Sequence, residues 1–99
     1  MAVLEVRLTP EEIDYFRNSV SKFDSAAKTF VFGSRANPDV RGGDIDILIL
    51  SDKISRHELR HIRTGFQERF GDQKVDLVLD SPEPVKIFTA KILKDAVPL

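Results

Sequence analysis

The stretch TFVFGSRANPDVRGGDIDILIL, Thr29 to Leu50, decides the fold. Its first four residues are aromatic or β-branched and are halted by Gly33-Ser34, the pattern of a short buried strand. Its last seven, Asp44-Ile45-Asp46-Ile47-Leu48-Ile49-Leu50, first alternate charged with apolar residues and then run wholly apolar, as a strand buried along most of its length does. Between them, Asn37-Pro38-Asp39 and Gly42-Gly43 exclude a long helix and leave room for a short helical turn from Ser34. A connection this short and turn-rich predicts antiparallel pairing of the two strands rather than a helical crossover.

Helices flank the pair. Thr9-Pro10-Glu11-Glu12 combines an N-cap, a proline at the first helical position and a glutamate three residues past the cap. With Ile13, Phe16, Val20 and Phe23 on one face, it predicts a helix over about 10–27, with Tyr15 off the apolar stripe. On the other side, Ser55 and Glu58 form a second capping box. Leu59, Ile62, Phe66 and Phe70 then space a helix that Gly71 can end. A third strand is expected from Lys74 to Leu79. Ser81-Pro82 reads as the start of a last helix with Val85, Phe88 and Ile92 on its face, reaching about Lys94. Phe16, Phe23, Phe66, Phe70 and Phe88 are expected in the core, and the apolar Ala96-Val97-Pro98-Leu99 docks on the domain or on a partner. The order implies an α+β, sandwich-like domain over residues 1–99, a three-stranded sheet covered by helices.

Composition narrows the function classes. The chain has 99 residues, 41% hydrophobic and 31% charged, which suits one modest core that a partner protein could help to stabilise. Without cysteine there is no disulfide framework, thiolate zinc site or cysteine nucleophile. No segment reads as a membrane span or secretory signal, so a cytoplasmic location is expected. A net charge of -1 argues against a protein that coats extended nucleic acid, because such binding works through counterion release by basic side chains.

The chemistry gathers on the decisive stretch. Asp44 and Asp46 are two residues apart on a strand, so both carboxylates leave the same face while Ile45 and Ile47 enter the core from the other. Like charges side by side in an apolar strand raise the energy of the fold unless a cation lies between them. Magnesium suits such a place, since it takes a few carboxylates, waters and substrate phosphates. Gly33 lets a phosphate approach the backbone, and Ser34 adds a hydroxyl donor. Arg35 and Arg41 are candidate phosphate contacts. Asp76, alternating with Val75 and Leu77, supplies a third carboxylate. Asp80 shares its face but stands roughly 13 Å further along the strand, too far for the same site.

Phe32-Gly33-Ser34, nine intervening residues, Asp44-Ile45-Asp46-Ile47 and the later Val75-Asp76-Leu77 together resemble the signature of the DNA polymerase β-like nucleotidyltransferase superfamily. Gly33-Ser34-Arg35-Ala36 is similar to its minimal nucleotidyltransferase (MNT) branch, whose members act as antitoxins in HEPN/MNT toxin–antitoxin modules. The resemblance implies a mixed sheet, with Asp44, Asp46 and Asp76 as catalytic residues holding two Mg2+ ions. It also implies that Gly33, Ser34 and Arg35 bind the nucleotide phosphates of ATP. The implied reaction transfers AMP to an acceptor hydroxyl with release of pyrophosphate, the acceptor being a tyrosine of a HEPN-type toxin partner. Gly43 departs from the serine of many relatives, with a small effect expected. The helical domain that larger relatives use to grip base and acceptor is not seen, so base selectivity is expected to be weak or to come from a partner.

Two other classes stay open: a catalytically silent module that neutralises a partner by binding, and transfer to a small molecule in a pocket that a homo-oligomer would complete. A zinc protease is a poor third. His57-Glu58-Leu59-Arg60-His61 matches H-E-x-x-H, but both histidines project away from the apolar stripe, Glu58 is accounted for by the capping box, and no further histidine can serve as third ligand. The pair offers only an opportunistic foothold for a transition metal.

Overall fold

The computed structural model describes residues 6–39 and 41–99. Among these residues three α-helices, α1 (Pro10–Phe23), α2 (Arg56–Phe70) and α3 (Ile87–Ile92), accompany four strands, β1 (Lys28–Phe32), β2 (Ile45–Leu50), β3 (Val75–Asp80) and β4 (Val97–Pro98). The sheet order is β3-β2-β1-β4. β1 is antiparallel to β2 and to β4, and β2 is parallel to β3 across the connection made by α2. The architecture is the expected α+β arrangement with a mixed sheet, and it has four strands rather than three. The fourth comes from the apolar C-terminal segment, which docks on the domain: Leu99 N–H donates to the Thr29 carbonyl at 2.9 Å.

Strand register sorts the side chains into rows. Val31, Ile47 and Leu77 stand side by side, as do Thr29, Ile49 and Leu79. They face α1 and α2 and form the main core with Phe16, Val20, Ile62 and Phe66. The alternate rows, Phe30–Leu48–Val78 and Phe32–Asp46–Asp76, face the other way. Leu48 and Leu50 pack there against Ile92 in a second, smaller cluster. Apolar residues thus cover both faces of β2, while one end of the second face carries carboxylates.

Local chemistry explains most helix boundaries. Thr9 Oγ1 accepts from Glu12 N–H at 3.1 Å, and the Glu12 carboxylate accepts from Thr9 N–H at 2.9 Å. Glu58 Oε1 takes both the N–H and the hydroxyl of Ser55, at 2.9 and 2.8 Å. Gly71, at φ 97°, ends α2. α1 stops at Phe23, four residues before the expected end. Asp24 turns out of the helix, accepting from Ser51 Oγ at 2.6 Å and Ala26 N–H at 3.0 Å. Phe23, left at the rim, is exposed.

The last helix departs further from expectation. Ser81-Pro82 does not start it, and α3 is confined to Ile87–Ile92. Pro84 disfavours helical backbone at Glu83. The buried Asp80 carboxylate instead gathers the N–H groups of Ser81 and Lys86, at 2.7 and 3.1 Å, and folds the segment around itself. Val85 and Phe88 are consequently exposed rather than core, and Phe88 keeps an edge contact with Phe32 at 6.4 Å. Tyr15, expected off the stripe, is half-buried among Phe16, Phe66 and Phe70, and its hydroxyl donates to the Ile62 carbonyl at 2.8 Å.

Candidate active site

Three segments meet at the carboxylate end of the sheet: the 3-10 turn Gly33–Ala36 after β1, the start of β2 and the start of β3. Because β2 and β3 run parallel in register, Asp46 and Asp76 are direct partners, with their side chains on one face. Asp76 is exposed and Asp46 half-buried. Burial, the Asp76 and Asp44 charges and a hydrogen bond shared with Asp76 push the Asp46 carboxyl above its ordinary value, and Lys74 only partly offsets them. Two carboxylates side by side in register on neighbouring strands, one of them raised by its neighbours, mark a place where a cation would lower the energy.

Gly33 brings the turn after β1 close against Asp46. Its φ is 70°, and a Cβ built there would lie 2.4 Å from Asp46 Oδ2. Only glycine combines that conformation with that approach. Gly42 plays a related part, since a Cβ there would fall 2.6 Å from Ser34 Oγ, so the loop before β2 rests its backbone on the serine hydroxyl. An open depression of about 750 Å3 adjoins the turn, lined by Gly33, Ser34, Asn37 and, from the segment after α3, Asp95.

Arg35 is engaged differently from its expected phosphate role. Its guanidinium donates to the Arg7 carbonyl at 2.7 Å, the Gly43 carbonyl at 3.1 Å and Gln73 Oε1 at 3.4 Å. Arg7 answers with its N–H on the Arg35 carbonyl and its guanidinium on the Gly42 carbonyl, both at 2.8 Å. Two arginines therefore brace the glycine pair that leads into Asp44. Arg7 and Gln73 carried no sequence signal, because their partners are distant in the chain. Arg41 is exposed.

Asp44, just before β2, is engaged by a cation of the chain itself. It is 53% exposed and pairs with Lys74 at 3.6 Å. Among the described residues no group of three or more histidine, cysteine, aspartate or glutamate side chains is gathered closely enough to cage a metal. The Asp46–Asp76 pair still suits magnesium, an ion that keeps several waters and needs only one or two carboxylates beside substrate phosphates. Asp44 would join it by leaving Lys74, an exposed ion pair of small worth. The H-E-x-x-H histidines lie elsewhere, exposed on α2, which packs on the opposite face of the sheet.

The family model described as "Polymerase beta, Nucleotidyltransferase" matches residues 15–99, so the chain belongs to that family. It is a nucleotidyltransferase domain by both sequence and architecture. A search among curated proteins finds no match to the chain. No described helix is long and apolar enough to cross a membrane.

Proposed function

We propose that this chain is a magnesium-dependent nucleotidyltransferase of the minimal branch. It would move AMP from ATP onto an acceptor hydroxyl, with a tyrosine of a HEPN-type toxin as the acceptor. The observation that carries the reading is the seating of Gly33 against Asp46, with Asp76 beside it in register. A triphosphate in the adjoining depression would meet backbone N–H groups and the Ser34 hydroxyl, while the arginine brace keeps the Gly42-Gly43 backbone in place. Asp46 and Asp76, joined by Asp44, would hold magnesium. Bound there, the metal supplies neutralising charge to the phosphates and to the leaving pyrophosphate. In the reaction the acceptor oxygen bonds to the α-phosphorus, the bond to the pyrophosphate oxygen breaks, and the exposed Asp76 carboxylate accepts the hydroxyl proton.

Two observations favour a second reading. The Asp44–Lys74 pair and the want of a three-carboxylate cluster among the described residues are what a silent module, neutralising its partner by covering it, would show. Incubation with each of the four radiolabelled nucleoside triphosphates and magnesium, with and without the protein encoded next to it, separates the two. A mass gain of AMP on the partner that disappears in Asp46→Asn supports transfer. A stable complex with no label from any of the four nucleotides supports covering and rejects transfer.

A further inference from the structure

The two histidines of α2 have a geometry that the nucleotidyl-transfer site does not use. His57 and His61 are one helical turn apart, both exposed, and they point their Nε2 atoms at each other across 3.3 Å with ring planes at 87°. Two nitrogens each about 2.0–2.1 Å from a tetrahedral ion stand about 3.3–3.4 Å apart, so the rings already hold the separation, and a turn of both rings would converge on a shared cation the lone pairs of nitrogens that now meet in a hydrogen bond. Glu58 lines the cleft of about 350 Å3 that the histidines border between α1 and α2, together with Lys22 and Ser19, and its Oε1 is turned back onto Ser55.

We infer that His57 and His61 form a two-nitrogen chelating site for a late first-row divalent cation such as Ni2+, Cu2+ or Zn2+, with its remaining positions filled by water or an incoming ligand from the cleft. Imidazole nitrogens favour these ions, and affinity rises from Ni2+ to Cu2+, whereas Mg2+ prefers oxygen ligands and binds elsewhere. The site is separate from the carboxylates, which lie on the opposite face of the sheet from α2, and it stands whether or not nucleotidyl transfer does.

The test is calorimetric titration of the full untagged chain with NiCl2, CuCl2 and MgCl2, repeated on His57→Gln, His61→Gln and Asp46→Asn. Tighter binding of Cu2+ than of Ni2+, at least a tenfold loss of affinity at the tighter Ni2+ site in each histidine variant and retention of that tighter site in Asp46→Asn is the expected result. The Cu2+ complex should also show coupling to two nitrogens in its electron paramagnetic resonance spectrum. Both rings are exposed, so the glutamine variants are expected to fold, which circular dichroism checks. Wild-type protein that binds no Ni2+, or histidine variants that bind it unchanged, would overturn the assignment. The first result would leave the pair as a hydrogen-bonded contact, and the second would place the ion elsewhere.

Discussion

Gly33 carries two constraints at once, a left-handed backbone and an approach to Asp46 that leaves no room for a methyl group. Gly33→Ala should destabilise the domain by about 1–3 kcal/mol, the usual scale for a strained backbone position, and should also remove nucleotide binding. Urea unfolding and binding of a fluorescent ATP analogue check the two parts. Asp46 behaves in the opposite sense. Its raised pKa means that the folded state resists the charged form, so its unfavourable contribution appears as pH rises through that pKa. Asp46→Asn should therefore stabilise the metal-free protein at neutral pH by about 0.5 kcal/mol, in the range of cross-strand charge pairs, while abolishing transfer. Thermal melting in chelator and the labelling assay read each effect. Both residues stood out in the sequence because spacing of two on a strand and a glycine after a strand are local signals. The bracing role of Arg35 was not legible, since its three acceptors, Arg7, Gly43 and Gln73, are brought to it only by tertiary structure.

The seam between α1 and α2 is set by one close contact. A Cβ on Gly65 would meet the Tyr15 hydroxyl oxygen at 2.3 Å, and that same hydroxyl donates to the Ile62 carbonyl. Gly65→Ala should cost about 1–3 kcal/mol, the scale of overpacking, even though alanine is the better helix former. Tyr15→Phe alone should cost about 1 kcal/mol for the lost hydrogen bond. The double variant should be more stable than the two losses added together, because removing the oxygen makes room for the methyl group, and a double-mutant cycle by denaturation measures the difference. α1, α2 and the first three strands could be read from caps and periodicity. α3 could not, because the Asp80 carboxylate drew the backbone N–H groups of Ser81 and Lys86 around itself, and that capture depends on its burial. Tyr15 likewise joined the core through Phe66 and Phe70 of another helix, a contact that spacing within α1 does not reveal.

Across the molecule, two buried carboxylates tie loops to the sheet, and both titrate below their ordinary value. For Asp24 the Ser51 hydroxyl is the main cause, opposed by burial and helped by Ala26 N–H and Lys53. For Asp80 burial pulls upward, and the neighbouring Thr89 hydroxyl with the N–H groups of Ser81, Lys86 and Val85 outweighs it. Thr89 Oγ1 is buried without a partner at hydrogen-bond geometry, and the N–H groups of Ser81 and Lys86 hold the Asp80 carboxylate. With folded-state values depressed, the stability from each is complete above the ordinary carboxyl value of 3.8 and is lost as pH falls through the lower folded values. Acid unfolding followed by circular dichroism should show this loss below about pH 4, and Asp24→Asn should flatten the dependence. Stability at pH 3 equal to that at pH 6 would contradict it.

β4 has a consequence of another kind. Its two residues pair with Phe30 and Val31, at the middle of β1, and Leu99 reaches Thr29. Without them β1 would present a row of unsatisfied amide groups flanked by aromatic and β-branched side chains, the sort of open border on which foreign chains stack into aggregates. Val97, Pro98 and Leu99 thus serve as a selvedge, keeping the strand that delivers Gly33 from recruiting a neighbour.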